Sequence, residues 1–334
     1  MQILDAILEQ LRSFFGTGEL FKIIDSGDYR LLLSYNGIVA VISPLLPIIL
    51  ILELSRGLLY KKFNVVSYKI PFYSYLFNAI VGRYISIGMT LLMIGLLEKY
   101  AILKISSTWY WFIYGYIIWE FAHFIYHYLA HKVRLFWCLH STHHAPESMN
   151  LSVSYAHFFL EGPYADIIRT SICIIAGVPP PMLFVIMFID GTWGSFIHIG
   201  ESMMKDARLG WFGRIILTPS HHRVHHAKNV QYMDTNFCNL LNIWDRIFKT
   251  YQPEIKNVPI RYGITREIKA NSFWDAYFGE IIILARDVYR APGLKNKFLY
   301  LFMPPGWSHT GDHKTASAMK KLQMSGTPGK QERA

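Results

Sequence analysis

Charge is scarce in this chain. Only 17% of its 334 residues are Asp, Glu, Lys or Arg, against about 25% in soluble domains. Apolar residues make up 52%, and mean hydropathy is +0.23. That composition excludes a disordered chain, a coiled coil and a nucleic-acid arm, and it points to a protein lying largely in lipid. Cysteine is scarcer still. Cys138, Cys173 and Cys238 sit in apolar surroundings with no CxxC pair, which argues against a disulfide framework and a Cys-ligated zinc ribbon. The start lacks a basic n-region and an apolar h-region, so no signal peptide is expected. No cytochrome b5-like domain or ER-retrieval sequence is visible at the ends, and no internal repeat is seen. The net charge of +10 does not signal nucleic acid. The basic residues form no single stripe, and Lys314, Lys320, Lys321, Lys330 and Arg333 crowd the C-terminus. Basic residues beside apolar runs read as cytoplasmic charge facing anionic lipid.

Long apolar runs are present. Residues 1–30 are amphipathic and net acidic. Residues 31–52 carry no charge and reach the ~20 residues that cross a bilayer, with Pro44 and Pro47 expected to kink them. Residues 76–97 form a second run, interrupted by Arg83. A third starts near Ile105 and continues past Glu120. Residues 167–199 are broken by Pro179, Pro180 and Pro181 into two halves, which read as a helical hairpin. Short apolar patches at 281–284 and 298–302 suit interfacial helices. Residues 314–334 are expected to be disordered. The loop bearing Arg56, Lys61, Lys62 and Lys69 is the most basic short loop, so it is placed in the cytoplasm. Two further crossings then bring every histidine cluster to that same face. The expected fold is an all-α integral membrane bundle of about four to five spans or hairpin helices. A cytosolic helical cap carries a His-rich site.

Fourteen histidines are the anomaly, and at least ten fall between Ala122 and Ala227. HFIYHYLAH holds His123, His127 and His131. HSTHH holds His140, His143 and His144, and HHRVHH holds His221, His222, His225 and His226. Residues at i, i+3 and i+4 share a helix face. His198 stands alone near the hairpin's end. Ten imidazoles exceed one coordination sphere and suit two metals. Ligand type alone fits iron, zinc or copper, while oxidation of lipid C–H bonds favours iron over redox-silent zinc. His157, His309 and His313 read as hydrogen-bonded or interfacial histidines rather than ligands, and His123 leans the same way.

The pattern HxxxH…HxxHH…HHxxHH after apolar spans resembles the fatty acid hydroxylase / sterol desaturase superfamily of integral-membrane di-iron enzymes. The likeness runs from Trp119 to Tyr251 and makes 31–313 the family-like domain. WEF before the first box, LFWCLHSTHH followed by Ser148 and Asn150, TPSHHRVHH, NIWDRIFKTY and PPGWS look like the alkylglycerol monooxygenase branch and its bacterial relatives. The resemblance implies His127, His131, His140, His143, His144, His222, His225 and His226 as ligands, with His198 and His221 completing the sites. Asp245 and Asn150 are expected to hydrogen-bond behind them. Tyr128 and Lys132 stand where the family often has Arg and Glu, and His123 where an aromatic is common.

The implied cofactors are two ferrous ions, with electrons from a separate donor protein or a reduced pterin. The implied chemistry is O₂-dependent oxidation of a lipid C–H bond: hydroxylation of an ether lipid or acyl chain, or, as an alternative, a sterol-type C-5 desaturation. A membrane metal store or transporter is the alternative of another class. Partners are the lipid substrate, the membrane, O₂ and the electron donor, with no nucleic acid. The expected location is a bacterial inner membrane, or the ER membrane in a eukaryote, as a multi-pass protein with its histidine boxes on the cytoplasmic side.

Overall fold

The computed structural model describes residues 16–60, 64–269 and 272–325, together with Glu9 and Arg12. Regular structure there is helical, apart from two isolated bridges, Ile216 with Leu241 and Ala227 with Tyr262. Helix α1, Gly18–Ser26, lies in the expected amphipathic segment. Most of residues 1–15, and residues 326–334, fall outside the described residues.

Helix α2, Tyr35–Ile42, begins where the Ser34 side chain accepts from the Gly37 amide. Pro44 has no N–H to continue the ladder, so the helix breaks there and resumes as α3, Leu45–Leu59. Together they form an apolar rod of 25 residues. The first run expected at 31–52 is therefore displaced: Tyr29–Leu33 form a tight 3-10 turn, and the rod runs on to Leu59. Helix α4, Val65–Phe77, tolerates Pro71 and passes through a wider π-type turn, Asn78–Gly82, into α5, Arg83–Leu97. This second rod, Val65–Tyr100, is longer than the expected 76–97. Only 17% of the first rod's most apolar window and 11% of the second's is buried. A soluble core helix would bury its leucines and isoleucines. Outward-facing apolar rods of this length belong in hydrocarbon.

Helix α6, Trp109–Lys132, is the central post. It packs against α8, Glu161–Ile175, and α9, Pro180–Phe196. Tyr116, Trp119 and Ala122 of α6 meet Cys173, Ile174, Met182, Leu183 and Ile186 in one core. Burying each large apolar side chain contributes about 1.5–3 kcal/mol. Gly115 permits the approach, since a Cβ there would sit 2.9 Å from Met182 Sδ. The hairpin expected at 167–199 is this α8–α9 pair, and Pro179 ends the connection by capping α9.

The cap comprises α7, Arg134–His144; α10, Pro219–His225; α11, Ile243–Ile247; α12, Phe273–Arg290; and α13, Gly293–Phe302. Arg134 Nη2 donates to Asp287 at 2.6 Å and fastens α7 to α12. The patches at 281–284 and 298–302 are parts of α12 and α13. One expectation is corrected: the segment after Lys314 is not structureless. Thr315 caps α14, Ala316–Met324, and Ala316 and Met319 close one wall of a cavity in the cap. The molecule is a helical membrane bundle whose clustered histidines come from α6, from the segment after α9 and from α7 and α10 of the cap. All three cysteines are buried and unpaired.

Candidate metal centre

Two groups of buried imidazoles meet beneath α6. His127, His131, His140, His144 and His225 form one group, and His143, His198, His222 and His226 form the other. Within each, one nitrogen per ring lies within 4.8 Å of all the others. The groups adjoin, with the ring centres of His144 and His226 4.4 Å apart. Helix geometry explains the sorting. Each residue turns about 100°, so i and i+4 share a face while i+3 diverges from i+4. On α7, His140 and His144 therefore serve the five-histidine group and His143 serves the other. After α10 begins, the roles exchange: His222 and His226 serve the four-histidine group and His225 the five.

Backbone carbonyls fix which nitrogen points inward. His127 Nδ1 donates to Phe237 O at 2.9 Å, His225 Nδ1 to Thr235 O at 2.8 Å and His198 Nδ1 to Gly194 O at 2.6 Å. Glu161 accepts from His140 Nδ1 and, at 2.8 Å, from His157 Nδ1. With Nδ1 carrying the proton on His127 and His140, their Nε2 lone pairs are left facing one another. His127 and His140 Nε2 are 3.1 Å apart, as are His140 and His144; His198 and His222 Nε2 are 2.9 Å apart. Two lone pairs at that distance repel unless a cation lies between them. A cation held by both nitrogens would remove that repulsion. The Nε2 atoms of His131 and His225 are buried without any partner, which is costly for a polar atom left unfilled. The donors thus fit two metal ions, of a kind that accepts nitrogen-rich coordination.

Burial keeps His198, His222, His225 and His226 neutral and able to ligate. His198 is pushed down to about 3, chiefly by burial. His222, His225 and His226 lie well below the ordinary imidazole value, from burial and then from neighbouring imidazoles. Asp234, behind His131 with Oδ1 3.6 Å from Nδ1, is pulled down against its own burial by His131 and Lys132.

His221, expected as a further ligand, is corrected. Its Nδ1 accepts from the Thr218 amide at 3.1 Å in a capping box. Its Nε2 then carries the proton and donates to Tyr251 Oη at 2.8 Å, leaving no lone pair for a metal. Asn150 is also corrected: its side chain accepts from Ser152 N to cap the turn at Leu151–Tyr155. Asp245 acts one step further back than expected, accepting from the amides of Phe237 and Cys238, each at 2.8 Å. Sequence reasoning missed Glu161 and Asp234, because no spacing links a carboxylate to a histidine over 20 or more residues away. His123 lies outside both groups, with Nδ1 3.7 Å from Asp190. His157 stacks on His143, ring centres 4.3 Å apart.

A cavity of about 470 Å³ touches both groups at His127, His140, His143, His198 and His222, and reaches Asn78, Gly82 and Arg83 on the exposed rod. A second, of about 510 Å³, touches only the five-histidine group, at His131, His144 and His225, beside Trp137 and α14.

Residues 112–250 match the model of the fatty acid hydroxylase family. The alkylglycerol monooxygenase of Xenopus tropicalis is 30% identical over 202 residues, 60% of this chain and 43% of that protein. Its human counterpart is 30% identical over 212 residues, 63% and 46%. The ornithine lipid hydroxylase OlsE of Rhizobium tropici is 27% identical over 154 residues, 46% of this chain and 45% of that protein. The chain spans less than half the length of these curated relatives. No solved structure matches it.

Proposed function

We propose, from the match of residues 112–250 to the model of the fatty acid hydroxylase family, that the chain is a di-iron, O₂-dependent membrane monooxygenase hydroxylating an ether lipid or an acyl chain. The observation carrying this reading is the first cavity. It joins five of the nine clustered imidazoles, drawn from both groups, to a rod whose apolar face is bare. Iron held at these nitrogens would supply the power to activate O₂ and oxidise an unactivated C–H bond. The remaining work falls to the chain. Glu161 and three backbone carbonyls aim the rings, as acceptors behind metal-bound histidines do. Tyr155, Phe158 and Phe159 line the cavity beside them, so a chain lying there excludes water and presents one C–H bond at a fixed place. Electrons would come from a separate donor protein or a reduced pterin. The cap is assigned to the cytoplasmic side of a multi-pass protein.

Metal analysis and lipidomics of cells expressing wild type or His143→Ala test this. Wild type should hold about two iron ions per chain and yield a lipid heavier by one oxygen; the variant should lose metal and product together. Metal loss with an unchanged lipid profile would favour storage or transport, and loss of two hydrogens in place of oxygen gain would favour a desaturase.

A further inference from the structure

Arg83 begins α5 in the middle of the second rod. Between Lys69 and Glu98 it is the only charged residue. It is exposed on the side open to lipid, and it lines the first cavity. No hydrogen bond or ion pair holds it among the described residues. The other charged side chains of the cavity wall, Glu161, Arg169 and Asp190, each have a partner. Arg169 pairs with Asp166 at 2.7 Å, Ser86 donates to Asp166, and Glu161 serves His140 and His157. A lone guanidinium at a lipid-facing site is costly unless an anion joins it, and its planar fork suits phosphate or carboxylate.

Arg83 is also tied mechanically to the metal centre. A Cβ on its neighbour Gly82 would sit 3.1 Å from Phe159 O, and Asn78 Nδ2 donates to His157 O at 2.8 Å. The rod is thus pressed onto the 157–161 segment that positions His140. One wall of the cavity carries the free cation and the other the imidazoles.

We infer that Arg83 binds the anionic headgroup, phosphate or carboxylate, of the lipid whose chain occupies this cavity, and so selects acidic over neutral lipids. The inference rests on the reading that the cavity takes a lipid. Retention of lysophosphatidate and of the monoacylglycerol with the same chain is measured on purified, metal-loaded protein in non-ionic detergent, alongside turnover of both. Wild type should hold lysophosphatidate about tenfold more tightly than the neutral lipid. Arg83→Gln, with metal content equal to wild type, should lose that preference without weakening the neutral lipid, and should raise KM rather than lower kcat. Arg83→Lys should restore part of it. Arg56→Gln, a charge on the first rod that lies outside the cavity wall, should behave as wild type. Equal affinity of wild type for both lipids, no effect of Arg83→Gln, or an equal effect of Arg56→Gln would overturn the inference. If lipid is oxidised without headgroup preference, only this inference falls. If acidic lipid binds through Arg83 and none is oxidised, the inference stands and the monooxygenase reading falls.

Discussion

At the scale of single residues, the centre depends on adjacent histidines pointing apart. His143 and His144 are sequence neighbours but serve different groups, so they are not interchangeable. His198 serves only the four-histidine group and His131 only the five. Substituting either by Ala should bring metal content from about two ions per chain toward one, and the two variants should lose different sites, as read by metal analysis and iron spectroscopy. Protonation acts on the same atoms. His198 and His221 are lowered to about 3 and about 4, each chiefly by burial. The unfolded chain takes up protons near 6.5, so between there and the folded values it binds more protons than the native state. Stability is complete above about 6.5 and is lost as pH falls through that window, each ring contributing about 1.4 kcal/mol one unit below its unfolded value. Thermal unfolding of chelated protein should therefore show a lower Tm at pH 5.5 than at pH 7.5. The spacing of the boxes made His127, His131, His140, His143, His144, His222, His225 and His226 legible as candidates. It could not remove His221, whose lone pair is committed to Thr218 and whose N–H goes to Tyr251, partners that only the fold supplies.

At the scale of elements, the critical piece is a stretch with little regular structure. Residues 237–241 present the Phe237 carbonyl to His127, and two buried carboxylates hold them there. Glu120 accepts from the amides of Asn239, Leu240 and Leu241, and Asp245 from those of Phe237 and Cys238. Asp245→Ala leaves two buried N–H groups without acceptors, which costs about 2–6 kcal/mol. It should lower both Tm and metal affinity, measured by thermal unfolding and chelator competition. The reverse pattern, intact stability with lost metal, would place Asp245 in direct contact with the ions. Helices themselves were readable. Pro44 breaks the first rod where its missing N–H interrupts the ladder, and Pro179 caps the start of α9. The helix after Lys314 was not readable, because its polar composition resembles a tail, and it owes its place to the cavity wall it closes.

At the scale of the whole molecule, the lipid-facing rods and the cap must keep a fixed relation for the first cavity to exist. Glu53, buried on α3, accepts from the amides of Leu151 at 2.7 Å and Gly200 at 2.9 Å. It ties the first rod to two segments that flank His143 and His198. Glu53→Ala should leave helix content unchanged by circular dichroism while lowering Tm and metal retention; retention equal to wild type would show that the rods and the cap hold together without it. The sequence by itself determined the apolar rods, the helical class and the spaced imidazoles, because hydropathy and helical periodicity are local properties of a chain. The tertiary structure decided which nitrogen joins which group, which carboxylates stand behind them, and that an isolated arginine shares a cavity with the histidines. Those outcomes depend on segments far apart in sequence meeting in space, and no periodicity within one segment encodes that meeting.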